Sequence, residues 1–438
     1  MNTSKPAVTG QAGRIDLAMF YLGCLSVAGS YGLTLLLPAS VKAAGGSQAE
    51  VGLIYWCGAL GACGTLVLGG RLAERIGAGW GAAAGAVLYA AATGLMAVGG
   101  VAGGAVYVAG LLLGAGWALF FTSAPIMVSA MAGTRRAGAG FLVLAGFNAL
   151  GMGIAPIAGQ LLVQHGLTYR AVFALAALLS VCSAALFCGA ARRRRPHADA
   201  GQGRGTAGGM MGPVRLVLAS GARPFLLMVL LGACVFTTMT AFQPGFAASR
   251  GLSSSVFYAS YTLGVIVPRF TVTRLLARSS GAAATTALLA CMCLSLAGFL
   301  LTGHDPVVYA VSATLLGVSY GLAYPLIQAR AAGGAPGGLR HWALWYFSLA
   351  YFAGLYGFPL IAGLVIALGG YQSLMAVLLV IGLAELAVSA RTRHRPGRGG
   401  HPTAVPADRP APATAKIHGA ASERSGPRPR PALITTIR

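Results

Sequence analysis

Apolar residues run along this chain in long unbroken stretches, separated by short segments of glycine, arginine and other polar residues. A helix needs about 20 apolar residues to cross the hydrocarbon core of a bilayer. The runs at 17–38, 51–70, 79–99, 103–129, 137–163, 169–190, 225–247, 255–272, 282–302, 307–329, 342–367 and 371–390 therefore predict twelve crossings. Two blocks of six are divided by a Gly/Arg-rich stretch that starts at Arg192-Arg193-Arg194-Arg195. This predicts a short cytoplasmic N-terminus (1–16), a six-helix bundle (17–190), a cytoplasmic linker (191–224), a second six-helix bundle (225–390) and a basic tail (391–438). The tail is rich in Pro, Arg, Ala and Gly, lacks periodicity and reads as disordered.

Composition strengthens the membrane reading. Hydrophobic residues make up 56% of the 438 and charged residues 9%, and mean hydropathy is +0.74. A soluble domain carries about 25% charged residues to solvate its surface. The net charge of +23 suggests a nucleic-acid binder until the bases are placed. With the N-terminus inside, Arg71, Arg75, Arg135, Arg136, the four-arginine run, Arg204, Arg215, Arg223, Arg274, Arg278, Arg330 and Arg340 all fall in cytoplasmic segments, whereas external loops hold Lys42, Arg170 and Arg250. That asymmetry is the positive-inside pattern, with both termini cytoplasmic. The tail has no aromatic residue for stacking on bases, so no nucleic-acid partner is expected; lipids are. The first apolar run is long enough to span, and no cleavable signal peptide is expected. The Ala/Gly/Arg-rich, lysine-poor usage points to a high-GC bacterium and its cytoplasmic membrane. All eight cysteines lie in apolar segments and read as apolar filler.

The halves repeat. Arg71-Leu72-x-x-Arg75 recurs as Arg274-Leu275-x-x-Arg278, a separation of 203 residues (274 less 71). The same separation carries Leu112-Leu113-Gly114 onto Leu315-Leu316-Gly317, Gly151 onto Gly354 and Pro156 onto Pro359. The predicted fold is an all-α membrane protein whose two six-helix bundles are related by pseudo-two-fold symmetry. In such parallel-repeat transporters the substrate binds near mid-membrane.

After the second run comes Gly70-Arg71-Leu72-Ala73-Glu74-Arg75-Ile76-Gly77. It resembles the signature loop of the major facilitator superfamily, except that Ala78-Gly79 stand where that family has two basic residues. The resemblance implies a gating loop (Gly70, Arg71, Glu74, Arg75, Gly77, with Arg274 and Arg278 in the second half). In it, Glu74 would latch onto the start of the eleventh span near Arg340–Trp342, where a helix N-terminus favours an anion. In the second half Thr273 and Ala277 replace the first glycine and the acid, so the latch is asymmetric. Gly151-Met152-Gly153-Ile154-Ala155-Pro156-Ile157-Ala158-Gly159 is similar to the family's antiporter motif, with Ala155 in place of a glycine. Gly151, Gly153, Pro156 and Gly159 would make a thin, closely packing helix, and the likeness points to export. Gly110 stands where many proton-coupled relatives carry an arginine.

Ionisable groups within spans are costly and usually functional. Asp16, Arg269 and Glu385 are the coupling candidates to a proton or other ion gradient. Glu385, near the cytoplasmic end of span twelve, is expected to snorkel to the interface. The resemblance places spans one, four, seven and ten around the cavity, which nominates Tyr31, Thr34, Trp117, Phe242, Gln243, Tyr320, Tyr324 and Gln328, with Asn148 beside them. Aromatics with a few amides suit a neutral or amphipathic small molecule. No HExxH or GxSxG motif is present. The expected function is therefore secondary active efflux by alternating access, without cofactor or metal and as a monomer. Uptake or facilitated passage is the alternative, and an intramembrane lipid-modifying enzyme the competing class.

Overall fold

The computed structural model describes residues 11–132, 137–193, 214–271, 281–336 and 339–393, all within one compact unit. Among the described residues the architecture is helical, with no strand. In chain order the helices are α1 (Gln11–Thr34), α2 (Leu37–Ala43), α3 (Gln48–Ile76), α4 (Ala78–Gly99), α5 (Ala105–Ala132), α6 (Ala137–Gln164) and α7 (Tyr169–Arg192). Then follow α8 (Val214–Ala219), α9 (Arg223–Ala241), α10 (Gln243–Ser249), α11 (Ser254–Thr271), α12 (Gly281–Leu301), α13 (Pro306–Gly334), α14 (Arg340–Phe352) and α15 (Phe358–Arg393).

Ten described segments are long and apolar enough to cross a membrane. The last covers 52 residues, Trp342–Arg393, about twice what one crossing requires. It breaks at Gly370, whose φ of 72° leaves the helical region, between the expected eleventh and twelfth runs. The 18-residue α11 lies at the short end of the range for a crossing.

Two of the expected spans are discontinuous. α1 ends at Thr34 and the chain resumes as α2, with Pro38 in its first turn; α9 ends at Ala241 and resumes as α10, with Pro244 in its first turn. A proline lacks the N–H that would continue the ladder but suits the opening turn of a new helix. A third irregularity joins α14 to α15, a π-helical turn at Ala353–Gly357.

Helix ends on the face opposite Gln11, termed distal, are capped by side chains. Ser47 and Glu50 cap reciprocally: the Ser47 N–H donates to Glu50 Oε2 at 3.0 Å and the Glu50 N–H to Ser47 Oγ at 3.2 Å. Asp305 Oδ1 accepts from the N–H of Val307 at 2.7 Å. Asp305→Ala should lower the unfolding free energy by about 1 kcal/mol, the usual worth of an N-cap, read as a lower thermal midpoint in detergent.

Packing is dense within two sets of helices: α4 lies against α5 and α7, α3 against α5, and α1 against α6 and α7; in the second set α13 lies against α11 and α12, and α15 against α9 and α12. The repeat is visible in the backbone crossings. Gly114 faces the Gly58 carbonyl, and Gly61 the Leu111 carbonyl, so closely that a Cβ at either glycine would overlap it. Gly317 against Tyr261, and Gly264 against Thr314, repeat both crossings. Each residue of the second group lies 203 positions after its counterpart (317 less 114, 264 less 61).

The two sets meet along two seams. At one, Gly52 of α3 sits on the backbone of Pro359 and Leu360, and Gly363 on Gln48. At the other, Gly153 of α6 sits on Thr262 of α11, and Ser254 hydrogen-bonds Gln160 at the distal end.

Candidate functional site

An aromatic cluster lies between the two sets, built from pieces the repeat has duplicated. In the first set the Tyr31 ring lies 4.3 Å from Trp117, centroid to centroid. In the second, Phe236 stacks on Tyr320 at 4.7 Å and 6°. Tyr320 is 203 residues after Trp117, and Tyr324 is 203 after Phe121. Rings then bridge the sets: Phe121 stacks on Tyr351 at 5.5 Å and meets Phe352 edge-on at 5.7 Å, while Tyr55 stacks on Tyr356 at 6.3 Å. Tyr324 packs on Tyr351 at 5.3 Å. Offset and edge-on ring pairs at such spacings are each worth about 0.5–1.5 kcal/mol beyond burial.

The phenols also converge. Tyr31 lies near Tyr55, Tyr89, Tyr261 and Tyr351, and Tyr356 near Tyr31, Tyr55, Tyr89 and Tyr351. One hydroxyl is satisfied locally. Thr34 donates to the Tyr31 carbonyl at 2.7 Å, which leaves its oxygen to accept from Tyr89 Oη at 2.8 Å. By contrast, the hydroxyls of Tyr324 and Tyr356 are buried without a hydrogen-bond partner among the described residues. A buried polar atom left unpaired costs about 1–3 kcal/mol, so each such hydroxyl calls for an explanation.

The sequence-derived candidates separate into three groups. Tyr31, Thr34, Trp117, Tyr320 and Tyr324 lie in the cluster. Asn148 occupies the repeat position of Tyr351, 203 residues earlier, and its Oδ1 is buried and unpartnered. Gln328, half-buried, lies one turn beyond Tyr324 on α13. Phe242 and Gln243 belong elsewhere. Gln243 is 0% exposed and its Oε1 accepts from Tyr309 Oη at 2.7 Å inside the second set. The break between α9 and α10 falls at Phe242, whose ring is buried. Tyr55, Tyr89, Tyr261, Tyr351 and Tyr356 escaped the sequence reading because they lie outside the four spans on which the nomination rested; Phe121 and Phe236 lie within those spans and were passed over in favour of polar or larger neighbours. A sequence signal did exist for one pair, since Tyr258 repeats Tyr55 at the separation of 203.

The other candidates are placed as follows. Gly151 sits against the Leu25 carbonyl and Gly29 of α1, Gly159 against Leu33 and Leu36, and Pro156 beside Gly32. Gly77 takes φ 84° at the start of α4, a conformation that favours glycine. The side chains of Arg71, Glu74, Arg75 and Arg269 lie outside the described residues, as do Gly70 beyond its helical backbone and all of Arg274 and Arg278. Asp16, 15% exposed, pairs with Arg193 at 3.8 Å. Glu385 corrects an expectation: it is 1% exposed and does not snorkel. After Gly370, α15 packs on α9 and α12, and Gly232 leaves room for the carboxyl between helices.

A family model described as the Major Facilitator Superfamily matches residues 19–357. The chain belongs to the major facilitator superfamily. Solved structures of that architecture agree in fold. The human organic anion transporter MFSD10 (TETRAN) superposes with a TM-score of 0.62 at 16% identity, covering 88% of this chain and 100% of that one. The E. coli fucose:proton symporter FucP gives 0.58 at 18%, covering 87% and 99%. The nucleoside transporter NupG gives 0.66 at 14%, covering 88% and 98%. Among curated proteins none matches the sequence significantly. Superfamily membership makes this chain a multi-pass membrane transporter, and the aromatic cluster lies where its two sets of helices face each other.

Proposed function

We propose that the protein carries a small amphipathic molecule by alternating access, with the tyrosine cluster as its binding site. The observation that supports this most directly is the sharing of that cluster between the two sets of helices. A ligand held by Tyr31, Trp117 and Phe121 on one side and by Tyr320, Tyr324 and Tyr351 on the other has different partners whenever the sets rock. Aromatic faces supply apolar area, and the unpartnered hydroxyls supply sparse, directional hydrogen bonds. In this reading residues 17–190 and 225–390 move as two bodies, both termini are cytoplasmic as the arginines suggest, and the distal face is external. The seams at Gly52–Leu360 and Gln160–Ser254 then hold the external side closed. Glu74 would engage span eleven in the opposite state.

Efflux through the cytoplasmic membrane of a bacterium, by a monomer, is the direction we favour. It rests on the Gly151–Gly159 segment, whose glycines pack on α1 and α11. The second reading, uptake, draws on the fucose:proton symporter among the fold relatives. Cross-linking tests the reading as a whole. In a cysteine-free background, Gln160→Cys and Ser254→Cys, whose parent side chains meet across this seam, should be joined by a short bis-methanethiosulfonate cross-linker that stops solute movement in proteoliposomes, and reductant should restore it. A cross-linked protein that transports at full rate sinks alternating access across this seam. Chemical conversion of the solute would instead support an enzyme.

A further inference from the structure

One acid lies outside the tyrosine cluster yet shares a wall with it. Glu385 lines a small cavity with Tyr320, Tyr324 and apolar side chains of α9, α12 and α13. Its carboxyl oxygens lie 3.2 and 3.3 Å from where a Cβ on Gly232 would stand. Among the described residues Oε2 has no hydrogen-bond partner, and neither does the hydroxyl of Tyr324.

Among the described residues, those that line the cavity with this carboxyl carry no charge. Cys234 of α9, Cys293 of α12 and Tyr320 of α13 lie near enough to feel its charge were it ionised, and Tyr324 of α13 shares its cavity. Arg330, one turn past Ile327 on α13, is engaged with Thr392 at 3.2 Å and lies over the Phe225 ring at 4.6 Å. Among the described residues no basic group pairs with Glu385, since Arg193–Asp16 is the one ion pair there. A carboxylate held ionised in such a place, without a counter-ion, costs several kcal/mol. The neutral acid is the form such a place favours. The cavity is small, and two of the residues that line it are phenols that themselves belong to the tyrosine cluster.

We propose that Glu385 is a proton-binding site in the second half, connected to the substrate cluster through the hydroxyls of Tyr320 and Tyr324. This rests on the carrier reading and names the ion that the carrier uses. The acid sits behind the binding site, not in it. For Glu385 to release its proton, rocking of the helices must bring a phenol hydroxyl of the shared cavity within hydrogen-bond reach. That phenol then takes the carboxyl proton as it gives its own to water in the opened cluster, so a carboxylate and a hydrated proton are formed and the phenol ends unchanged. Binding of solute in the cluster changes the partners of the same phenols, and in this way couples the solute to the proton.

Infrared difference spectroscopy on the full chain in lipid tests the site without any solute. The expected result is a protonated-carboxyl stretch that titrates reversibly with pH, disappears in Glu385→Gln and is displaced in Tyr324→Phe. A stretch that never titrates, one that survives Glu385→Gln, or one indifferent to both Tyr324→Phe and Tyr320→Phe overturns the proposal. Proteoliposomes supply the second arm, with a solute identified by counterflow. Wild-type protein should build a concentration ratio of about tenfold per pH unit for one proton exchanged. Glu385→Gln should keep counterflow and fall to a ratio of about one, as expected when no proton gradient is coupled to the solute. Accumulation by Glu385→Gln equal to wild type would refute the coupling. Absence of counterflow for every solute in wild-type protein would count against the carrier reading instead, and the infrared result would still decide the proton site.

Discussion

Gly114→Val should leave almost no monodisperse folded protein after detergent extraction, whereas Gly64→Val on α3 should behave as wild type. The difference lies in what a side chain meets. A Cβ at Gly114 runs into the carbonyl and Cα of Gly58, backbone atoms of a crossing helix that cannot rotate away; at Gly64 nothing stands within 4 Å. Overpacking a core ordinarily costs about 1–3 kcal/mol. Here the obstacle is backbone, so α3 and α5 must separate, and the contacts on both sides of the crossing are lost with them. Set against a total stability of about 5–15 kcal/mol, that loss is decisive. Gly317→Val should fail in the same way at the repeated crossing, on Tyr261 and Gly264. Size-exclusion profiles and thermal midpoints of the four proteins read the result. A well-folded Gly114→Val would mean that the close crossing is not needed for assembly.

The second large effect is on transport. Tyr351→Ala should reduce solute flux in proteoliposomes by about tenfold or more, while the protein still folds and extracts normally. Tyr351 touches Phe121 across the seam and Tyr324 within its own set, and it lies near Tyr31. It also meets Phe352 at 5.3 Å. A ligand that stacks on this ring as its neighbours do loses about 0.5–1.5 kcal/mol with it, and the loss of its hydroxyl contact adds about 0.5–1.5 kcal/mol, together a factor of about ten. Tyr351→Phe keeps the rings and should retain most of the flux. If Tyr351→Ala transports normally, the cluster is packing and the binding site lies elsewhere.

The legible and illegible parts of this molecule differ for identifiable reasons. The runs at 79–99 and 169–190 nearly coincide with α4 and α7, because a long apolar stretch in lipid has to satisfy its backbone internally and so becomes a helix. The breaks after Thr34 and Ala241 were less visible. Pro38 and Pro244 are in the sequence, but one proline in a membrane helix permits either a kink or a fresh start, and packing chooses between them. Among the site residues, Trp117 and Tyr320 could be found from their spans. Tyr55, Tyr89 and Tyr356 could not, since a tyrosine facing the cluster and a tyrosine facing lipid headgroups look alike in one dimension. Gln243 shows the opposite failure: an amide in a lining span reads as a ligand contact until Tyr309 is seen bonded to it.

By itself, the sequence determined that the chain lives in a membrane and is a duplicated helical protein. Hydropathy and the separation of 203 residues are properties of the chain that any three-dimensional arrangement must respect. Its loop at Gly70–Gly77 also pointed to the superfamily. Tertiary structure alone decided which rings meet between the halves and what became of Glu385. By position that acid should have reached for the interface. The helix that carries it instead packs against Gly232, and the carboxyl is enclosed beside Tyr320 and Tyr324. Whether a charged group snorkels or is enclosed depends on the neighbour its helix face meets, and that neighbour lies some 150 residues away in the chain (385 less 232).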